Sequence, residues 1–326
     1  VRRVSRTRDL TAFAVMTLLF GGAFPAIEVG LRYLPPLALA AVRYAVSAAL
    51  LLGYALATTD YWRPRMRADW LAVLAGGVFF IGGSGLTFVG QQFTTAGVAA
   101  IVFSSIPILT VLVGAVLLPE ETVSRRGALG LVVGLLGVAI VVGPDPATLG
   151  GDAGASAAVG GGPLEIGALA TALLGPALVF AAALSVTVGT VLIRRFGPPM
   201  PTVSLTGASM AVGAAMQAGL SLAVGEEVAA AGLALPALLA VAYLAVFASG
   251  VGFVVYFDLL SRFGPLEVNL VSYLVPVVSV AVGWWVLDEP VYVSTLVGFG
   301  VVVVGFALLK NRELAAELAK YRGAAR

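Results

Sequence analysis

Long apolar runs separated by short polar stretches dominate the chain. A membrane-spanning helix needs about 20 apolar residues to cross the hydrocarbon core of a bilayer. Ten runs approach that length: 10–31, 36–57, 70–93, 95–118, 127–142, 167–193, 202–224, 236–260, 266–287 and 291–309. They do not alternate polar and apolar residues, as the strands of a membrane barrel would. The pattern predicts an all-α membrane protein with ten transmembrane helices, the fifth of them short.

The basic residues predict how these helices are oriented. If the N-terminus lies in the cytoplasm and the helices alternate in direction, all but two of the 19 Lys and Arg residues fall on the cytoplasmic side. Arg32 falls outside, and Arg43 falls within the second helix. Cytoplasmic loops carry such an excess of positive charge. We therefore expect a multi-pass protein of the cytoplasmic membrane with both termini in the cytoplasm.

Composition supports this class and narrows the chemistry. Apolar residues make up 60% of the chain and charged residues 11%, whereas a soluble domain is about half apolar and a quarter charged. No secretory signal peptide with a cleavage site is recognisable, so the first run reads as a retained helix. Cysteine and histidine are absent, which removes thiol catalysis, cysteine-ligated metals and the commonest general base. We expect no cofactor, no metal and, with a net charge of only +2, no nucleic-acid partner.

Two distant stretches share a pattern that indicates an internal repeat. "SSIPILTVLVGAVLLPEE" begins at Ser104, and "SYLVPVVSVAVGWWVLDEP" begins at Ser272. A shift of 169 residues aligns the first three of the following pairs, and a shift of 168 aligns the other two: Pro107 with Pro276, Gly114 with Gly283, Glu120 with Glu289, Gly130 with Gly298, and Gly137 with Gly305.

The repeat predicts two five-helix units of opposite orientation. The units would cover residues 10–142 and 167–309, joined by a Gly-rich outer linker at 143–166 and followed by a cytoplasmic tail at 310–326. Because five is odd, the second unit enters the membrane from the opposite side. Inverted repeats of this kind let one transporter present related gates to the two sides of a membrane.

Several segments carry a resemblance to a known family. They are "FGGAFPAIE" at 20–28, "LALAAVRYAVSAALLL" at 37–52, and the blocks 93–142 and 263–309. The chain resembles the drug/metabolite transporter superfamily, specifically its EamA-type ten-helix members. It departs from them at Phe20, where the family usually has tryptophan, and at Thr206, which stands in the second unit where the first has Arg43.

The resemblance implies a secondary transporter that moves a small organic solute, such as an amino acid, metabolite or drug-like compound, by alternating access. The family includes exporters and importers, and export is the direction we expect. No Gly-rich, Lys-ending phosphate loop is present, so ATP is not the direct drive. Protons, solute coupling and exchange remain open.

Charged residues inside the spans are the first candidates for transport, because they are costly in a bilayer. Arg43 lies seven residues in from Pro36, and Glu28 lies three residues from the outer end of the first helix. A pair between them would meet a solute or a proton. The alternative is a structural ion pair, or an arginine that snorkels to the interface. Asp258, with Arg262 and Glu267 nearby, reads as a solvated turn cluster.

Prolines and polar residues complete the candidate pathway. Pro25, Pro107 and Pro276 are expected to kink their helices, and Glu120 and Glu289 to cap turns or hold gate contacts. Asn269, Ser272, Tyr273 and Pro276 share one helical face by their spacing. The remaining wall residues are Phe24, Phe88, Gln92, Ser104, Ser105, Phe180, Ser185 and Tyr256, with Trp284 higher up. Helix packing and interfacial anchoring are the alternative roles, and packing is favoured for "GGSG" at 82–85.

Three other classes of function are weighed against transport. A membrane-embedded transferase for lipid or prenyl groups would need clustered acids for a metal, of the kind Asp-x-x-x-Asp, and no span carries them. A channel or lipid scramblase would show flux without saturation. A non-transporting scaffold would tolerate changes at Asn269 and Tyr273. Few fixed charges line the expected pathway, which favours zwitterionic, aromatic or largely apolar cargo.

Overall fold

The computed structural model describes residues 6–118, 125–142, 163–263 and 273–309. Within these residues the chain forms helices and their connections, without strands. The described part of the chain contains ten successive helical spans. They are Arg6–Gly21 with Ala23–Leu31, Pro36–Thr58, Arg67–Gly90, Ala96–Phe103 with Ile106–Leu117, Arg125–Val142, Pro163–Phe196, Thr202–Ala223, Leu235–Ala242 with Tyr243–Val251 and Gly252–Phe263, Val275–Leu287, and Val293–Leu309.

The lengths of these spans confirm an all-α membrane protein. By length and composition, seven of the described helices can cross a membrane, and three shorter apolar ones accompany them: Gly127–Val142, Val275–Leu287 and Val293–Leu309. The predicted ninth helix, 266–287, has its first residues outside the described part. The sixth span, Pro163–Phe196, is longer than predicted and includes residues that were assigned to the linker.

At two of the predicted kinks the helix is interrupted, by Gly22 in the first span and by Ser104 and Ser105 in the fourth, although the backbone of these residues stays close to helical. In the first span one helix ends at Gly21, four residues before Pro25, and in the fourth span one ends at Phe103, four residues before Pro107. This spacing has a direct cause, since a proline ring clashes with the carbonyl of the residue four positions earlier and lacks the N–H that would bond to it. In the ninth span Pro276 occupies the first turn of the helix that begins at Val275.

The third and eighth spans contain π-helical segments that the sequence did not predict. They cover Gly76–Gly82 and Tyr243–Val251, which occupy corresponding positions in the two repeats. A π-helix widens the turn and disturbs the regular hydrogen-bond ladder, and such segments are frequent at functional sites. Both repeats therefore carry the same irregularity at corresponding positions in sequence.

Glycines on the fifth and tenth spans bring the two repeats into backbone contact. A Cβ added to Gly137 would lie 2.8 Å from the carbonyl oxygen of Gly298, and one added to Gly130 would lie 2.6 Å from that of Gly305. The predicted shift of 168 residues converts the first contact into the second. A two-fold axis between inverted repeats produces pairs of contacts that are related in this way.

Two apolar clusters form the core, and the first span contributes to both. One gathers Ile27, Leu39, Tyr44, Phe88, Met210 and Leu244, from the first, second, third, seventh and eighth spans. The other gathers Phe24, Ile101, Val138, Val179, Tyr273 and Val302, from the first, fourth, fifth, sixth, ninth and tenth spans. Because the first span lies between the clusters, its break and its acidic end sit where the two halves of the core meet.

The glycine contact predicts a strong dependence on size. A Cβ at Gly305 would lie 2.4 Å from the Gly134 nitrogen, whereas one at Gly300 on the same helix meets nothing within 4 Å. We expect Gly305→Ala to cost about 1–3 kcal/mol, as overpacking does, and Gly300→Ala to be neutral or slightly stabilising. Thermal unfolding in detergent, followed by tryptophan fluorescence, measures both. Equal melting temperatures for the two variants would contradict the proposed packing.

Candidate solute pathway and outer cavity

Arg43 is held in the second span by neighbours from both repeats. Its Nε donates to the Oγ of Ser249, 3.3 Å away in the π-helical segment of the eighth span. The guanidinium carbon lies 4.9 Å from the ring centroid of Tyr44 and 5.7 Å from that of Phe88. Aromatic faces attract a cation, and the attraction grows when water is excluded. These contacts fix the guanidinium within the bundle.

The end of the Arg43 side chain is left available for other partners. Among the described residues, no carboxylate forms an ion pair with Arg43, and its two terminal nitrogens make no hydrogen bond. The predicted pairing of Glu28 with Arg43 is therefore wrong. Glu28 lies one helical turn from Arg32, and its Oε1 is 3.6 Å from the Nη2 of that arginine. Glu28 thus lies near Arg32 of its own helix and makes no ion pair with Arg43 of the second span.

A second group of candidates meets in the cluster around the fourth and ninth spans. The Phe24 ring lies 5.8 Å from the Phe103 ring, and Tyr273 lies 4.4 Å from Phe306. Phe180 packs against the same cluster. The hydroxyl of Tyr273 is buried and makes no hydrogen bond to any described residue. Leaving a buried hydroxyl without a hydrogen bond is costly. A polar group that enters the pathway and bonds to this tyrosine would remove that cost.

A cavity of about 530 Å³ opens at the end of the bundle opposite the arginine-rich loops. We call it the outer cavity, after the side on which the distribution of basic residues predicts it to lie. Its lining comes from both repeats and consists of Glu28, Leu31, Arg32, Gln91, Gln92, Thr94, Thr95, Leu287, Asp288, Glu289 and Pro290. Four of these residues are charged, which distinguishes the cavity from the apolar interior.

Glu289 lines this cavity and caps the helix Ala96–Phe103 of the other repeat. Its Oε1 accepts a hydrogen bond of 2.7 Å from the Ala96 N–H, and its Oε2 a longer one of 3.4 Å from the Gly97 N–H. The residue is only 7% exposed, and its side chain lies against Gly283, where a Cβ would be 2.3 Å from Oε2. The partial positive charge of a helix N-terminus stabilises a carboxylate there. The repeat-aligned Gly283 and Glu289 thus form one contact.

Glu28 and Glu289 line the same cavity, one from each repeat. Burial, together with this neighbouring acid, raises the pKa of Glu289 to about 8. The Oε2 of Glu28 is buried and has no hydrogen-bond donor among the described residues. Two acids therefore face each other across the boundary between the repeats. We call the contact among Glu28, Ala96, Gly97 and Glu289 the outer junction.

Other candidates have their polar groups satisfied close by. The hydroxyls of Ser104 and Ser105 donate to carbonyls of their own helix, at Ile101 and Val102. The Ser185 hydroxyl donates to the carbonyl of Phe79 at 3.0 Å. These three serines stabilise irregular backbone, and their donors are not directed into the pathway.

The remaining candidates are spread over the bundle. Tyr256 packs with Phe20 and Phe253 in a separate aromatic group, and Gln92 lines the outer cavity. Trp284 is 63% exposed on the outside of the ninth span. The glycines at 82–85 pack against neighbouring helices, as predicted, with Gly83 on Ser185 and Gly85 on Gln217. Asn269, Ser272, Glu120 and Glu267 lie outside the described residues.

The acidic cluster at the opposite end is more than a solvated turn. Arg262 pairs with Asp258 one helical turn earlier and also with Asp9 of the first span. The Asp258 side chain is 51% exposed, whereas those of Arg262 and Asp9 are 23% and 21% exposed. Sequence spacing gave no sign of Asp9, which is 253 residues from Arg262. The cluster joins the first span to the eighth, and thus one repeat to the other.

Sequence reasoning also missed four polar residues that support the site. Ser249 holds Arg43, and Gln91 donates from Nε2 to the carbonyl of Phe24 beside the first break. Gln217 donates to the carbonyl of Ile81 in a π-helical segment. Glu226 accepts from the N–H groups of Leu37 and Ala38 at the start of the second span. For Ser249 and Gln217, a single polar residue within an apolar run was the available signal.

Comparison with known proteins decides the family. The model of the EamA-like transporter family matches residues 9–143 and again 173–310. The chain belongs to the EamA-like transporter family. The two matches cover most of the protein, one in each half. Membership confirms the resemblance to the drug/metabolite transporter superfamily.

Relatives of this EamA-like protein are named as transporters. The uncharacterized transporter YvbV of Bacillus subtilis is 24% identical over 98% of this chain and 97% of its own length. The uncharacterized inner membrane transporter YedA of Escherichia coli K12 is 26% identical over 91% of this chain and 89% of its own. A solved crystal structure with 23% identity matches at a TM-score of 0.62, covering 96% of this chain and 99% of that one. The last likeness shows the fold.

The cap at the second span allows a clean test of one contact between repeats. Glu226 receives hydrogen bonds from the Leu37 and Ala38 N–H groups at 3.2 and 2.9 Å and one of 2.8 Å from the Ser221 hydroxyl. We expect Glu226→Ala to cost about 0.5–2 kcal/mol, the range for loss of a helix cap. Glu227→Ala, at the exposed next position, is the matched control. A thermal melt in which the two variants coincide would contradict the cap.

Proposed function

We propose that this EamA-like protein is a secondary transporter that moves a small, carboxylate-bearing organic solute across the cytoplasmic membrane by alternating access. Membership in a transporter family supports transport and argues against an enzyme. Export is the direction we propose, on the strength of the family resemblance. The distribution of basic residues supports cytoplasmic positions for the segments before the first span and after the tenth.

The observation that carries alternating access is the contact between the fourth and ninth spans. Both spans contain the repeat-aligned prolines, and the Ser279 hydroxyl of the ninth donates to the Ala96 carbonyl of the fourth at 3.1 Å. Discontinuous helices at the interface of inverted repeats are where transporters place substrate sites and hinges. In this proposal Pro107 and Pro276 mark the points at which these two spans bend, and Phe24, Phe180 and Tyr273 line the path between them.

Arg43 supports the cargo class. A guanidinium presents a planar set of donors that matches a carboxylate, and this one keeps its terminal nitrogens without a hydrogen bond among the described residues. The rings of Tyr44 and Phe88 beside it favour an apolar or aromatic body next to the charged group. Amino acids and similar organic acids combine these features, and they fit the low fixed charge of the interior.

Counterflow in liposomes tests the proposal. The panel contains labelled amino acids, nucleosides, sugars and a cationic dye, each with purified protein and with empty liposomes. We expect saturable counterflow of at least one carboxylate-bearing solute. A hydrogen bond to a charged group contributes about 1.5–3 kcal/mol. Arg43→Ala should therefore raise the solute concentration at half-saturation by about tenfold to a hundredfold, and Arg43→Lys should raise it by less.

The control variant is Arg63→Ala, which removes an arginine from the loop before the third span. It should transport like the unchanged protein. Unsaturable flux of all the solutes would favour a channel over a carrier. Saturable flux confined to neutral sugars or cations, and unaffected by Arg43→Ala, would contradict the cargo class.

A further inference from the structure

The outer junction holds two acids where a charge on each would be unfavourable. Glu289 is almost fully buried, and Glu28 carries a buried carboxyl oxygen without a donor among the described residues. Two adjacent carboxylates in a shielded site cannot both ionise without strong repulsion. One proton placed between them removes the repulsion and supplies the donor that Glu28 lacks.

The hydrogen bonds of Glu289 indicate which of its oxygens carries that proton. Oε1 accepts the short bond of 2.7 Å from Ala96 and behaves as the carbonyl oxygen of an acid. Oε2, with only a long bond of 3.4 Å from Gly97, is free to carry a hydrogen. A protonated Glu289 therefore still caps the fourth span through Oε1, while its O–H donates to Glu28.

We propose that Glu28 and Glu289 form a shared-proton site that couples proton movement to opening of the outer cavity, an inference that rests on the proposed transport function. A proton from the outer water binds Oε2 of Glu289, forming an O–H bond, and the outer junction stays closed. When that bond breaks, the proton returns to water. The two carboxylates then repel each other and separate the ninth–tenth turn from the first and fourth spans.

The other charges at the junction are accounted for. Arg32 faces Glu28 from the first span, at 3.6 Å, but its side chain is 54% exposed. Asp288 adds a second acid from the same turn as Glu289. The fourth span contributes the N–H groups of Ala96 and Gly97 and the hydroxyl of Thr95, which caps its own helix at Val98. The exposed arginine offsets one negative charge only in part, because water screens it.

The direction of the pH effect follows from proton linkage. The pKa of Glu289 is about 8 in the closed junction against an ordinary 4.5. A raised pKa means that the closed state binds the proton more tightly than the open one. The stabilisation of the closed state by this proton is complete below the ordinary pKa. It decreases between the two pKa values and is lost above about pH 8. Alkaline pH should therefore favour opening.

The test combines infrared spectra with transport in liposomes. In the unchanged protein, a protonated-carboxyl band should be present at about pH 6 and disappear by about pH 10. It should be missing in Glu289→Gln, whose amide mimics the neutral acid. Glu28→Gln removes a neighbouring charge, so it should move the midpoint to lower pH. Asp288→Asn is the control, because asparagine tolerates the left-handed backbone at that position (φ 56°).

Transport separates this inference from the proposed function. For a solute that shows counterflow, the rate in the unchanged protein should rise from about pH 6 to about pH 10, because deprotonation of Glu289 favours opening. In Glu289→Gln this rise should be lost, because the amide does not titrate in this range. Counterflow without any pH dependence in the unchanged protein would overturn the shared-proton site and leave the transporter standing. A titrating band that survives in Glu289→Gln would overturn the inference whether or not any solute is transported.

Discussion

The need to satisfy every backbone polar group without water governs this structure. In the hydrocarbon core an unpaired N–H or C=O is costly, so an irregular stretch of helix needs hydrogen-bond partners close by. The first span is interrupted at Gly22, and there the Tyr243 hydroxyl donates to the carbonyls of Leu18 and Leu19, both at 3.1 Å, although the Leu18 carbonyl also accepts from the Gly22 N–H. A Cβ at Gly22 would lie 2.4 Å from that tyrosine oxygen. The break and its partner thus come from different repeats.

The π-helical segments follow the same rule. The Ile81 carbonyl accepts from Gln217 at 2.7 Å, and the Ala245 carbonyl accepts from Ser47 at 3.2 Å. Both bonds cross between repeats. Irregular backbone in one repeat therefore depends on a side chain of the other, which couples bending within a span to movement between the repeats.

At the outer end, carboxylates take the place of hydroxyls and amides. Glu226 and Glu289 both belong to the second repeat, and both cap helices of the first, at the second and fourth spans. Moving the repeats apart would expose those helix ends unless water enters. The charged lining of the outer cavity suits that water, and in our proposal a proton at Glu289 changes how favourable the separation is.

Some of this could be predicted from sequence, because it depends on local rules. Apolar length predicts the spans, and Pro25 and Pro107 predict the breaks through the carbonyl four residues earlier. The aligned glycines of the fifth and tenth spans indicated the repeat, but not that the two spans pack against each other, which depends on how the repeats meet. The π-helical segments were not predictable, since a continuous apolar run has no period that separates them from an α-helix. Contacts such as Arg43 with Ser249, 206 residues away, depend on how the repeats meet.

The central claim is that the two repeats separate at the outer cavity in each transport cycle, and cross-linking tests it most directly. The chain contains no cysteine, so Gln92→Cys and Leu287→Cys introduce the only thiols, one on each side of the cavity. A flexible bifunctional thiol reagent with a reducible linker would join them, with each single variant as a control. Our account predicts that cross-linking stops counterflow and that reduction restores it. Counterflow at the full rate in fully cross-linked protein would contradict the account.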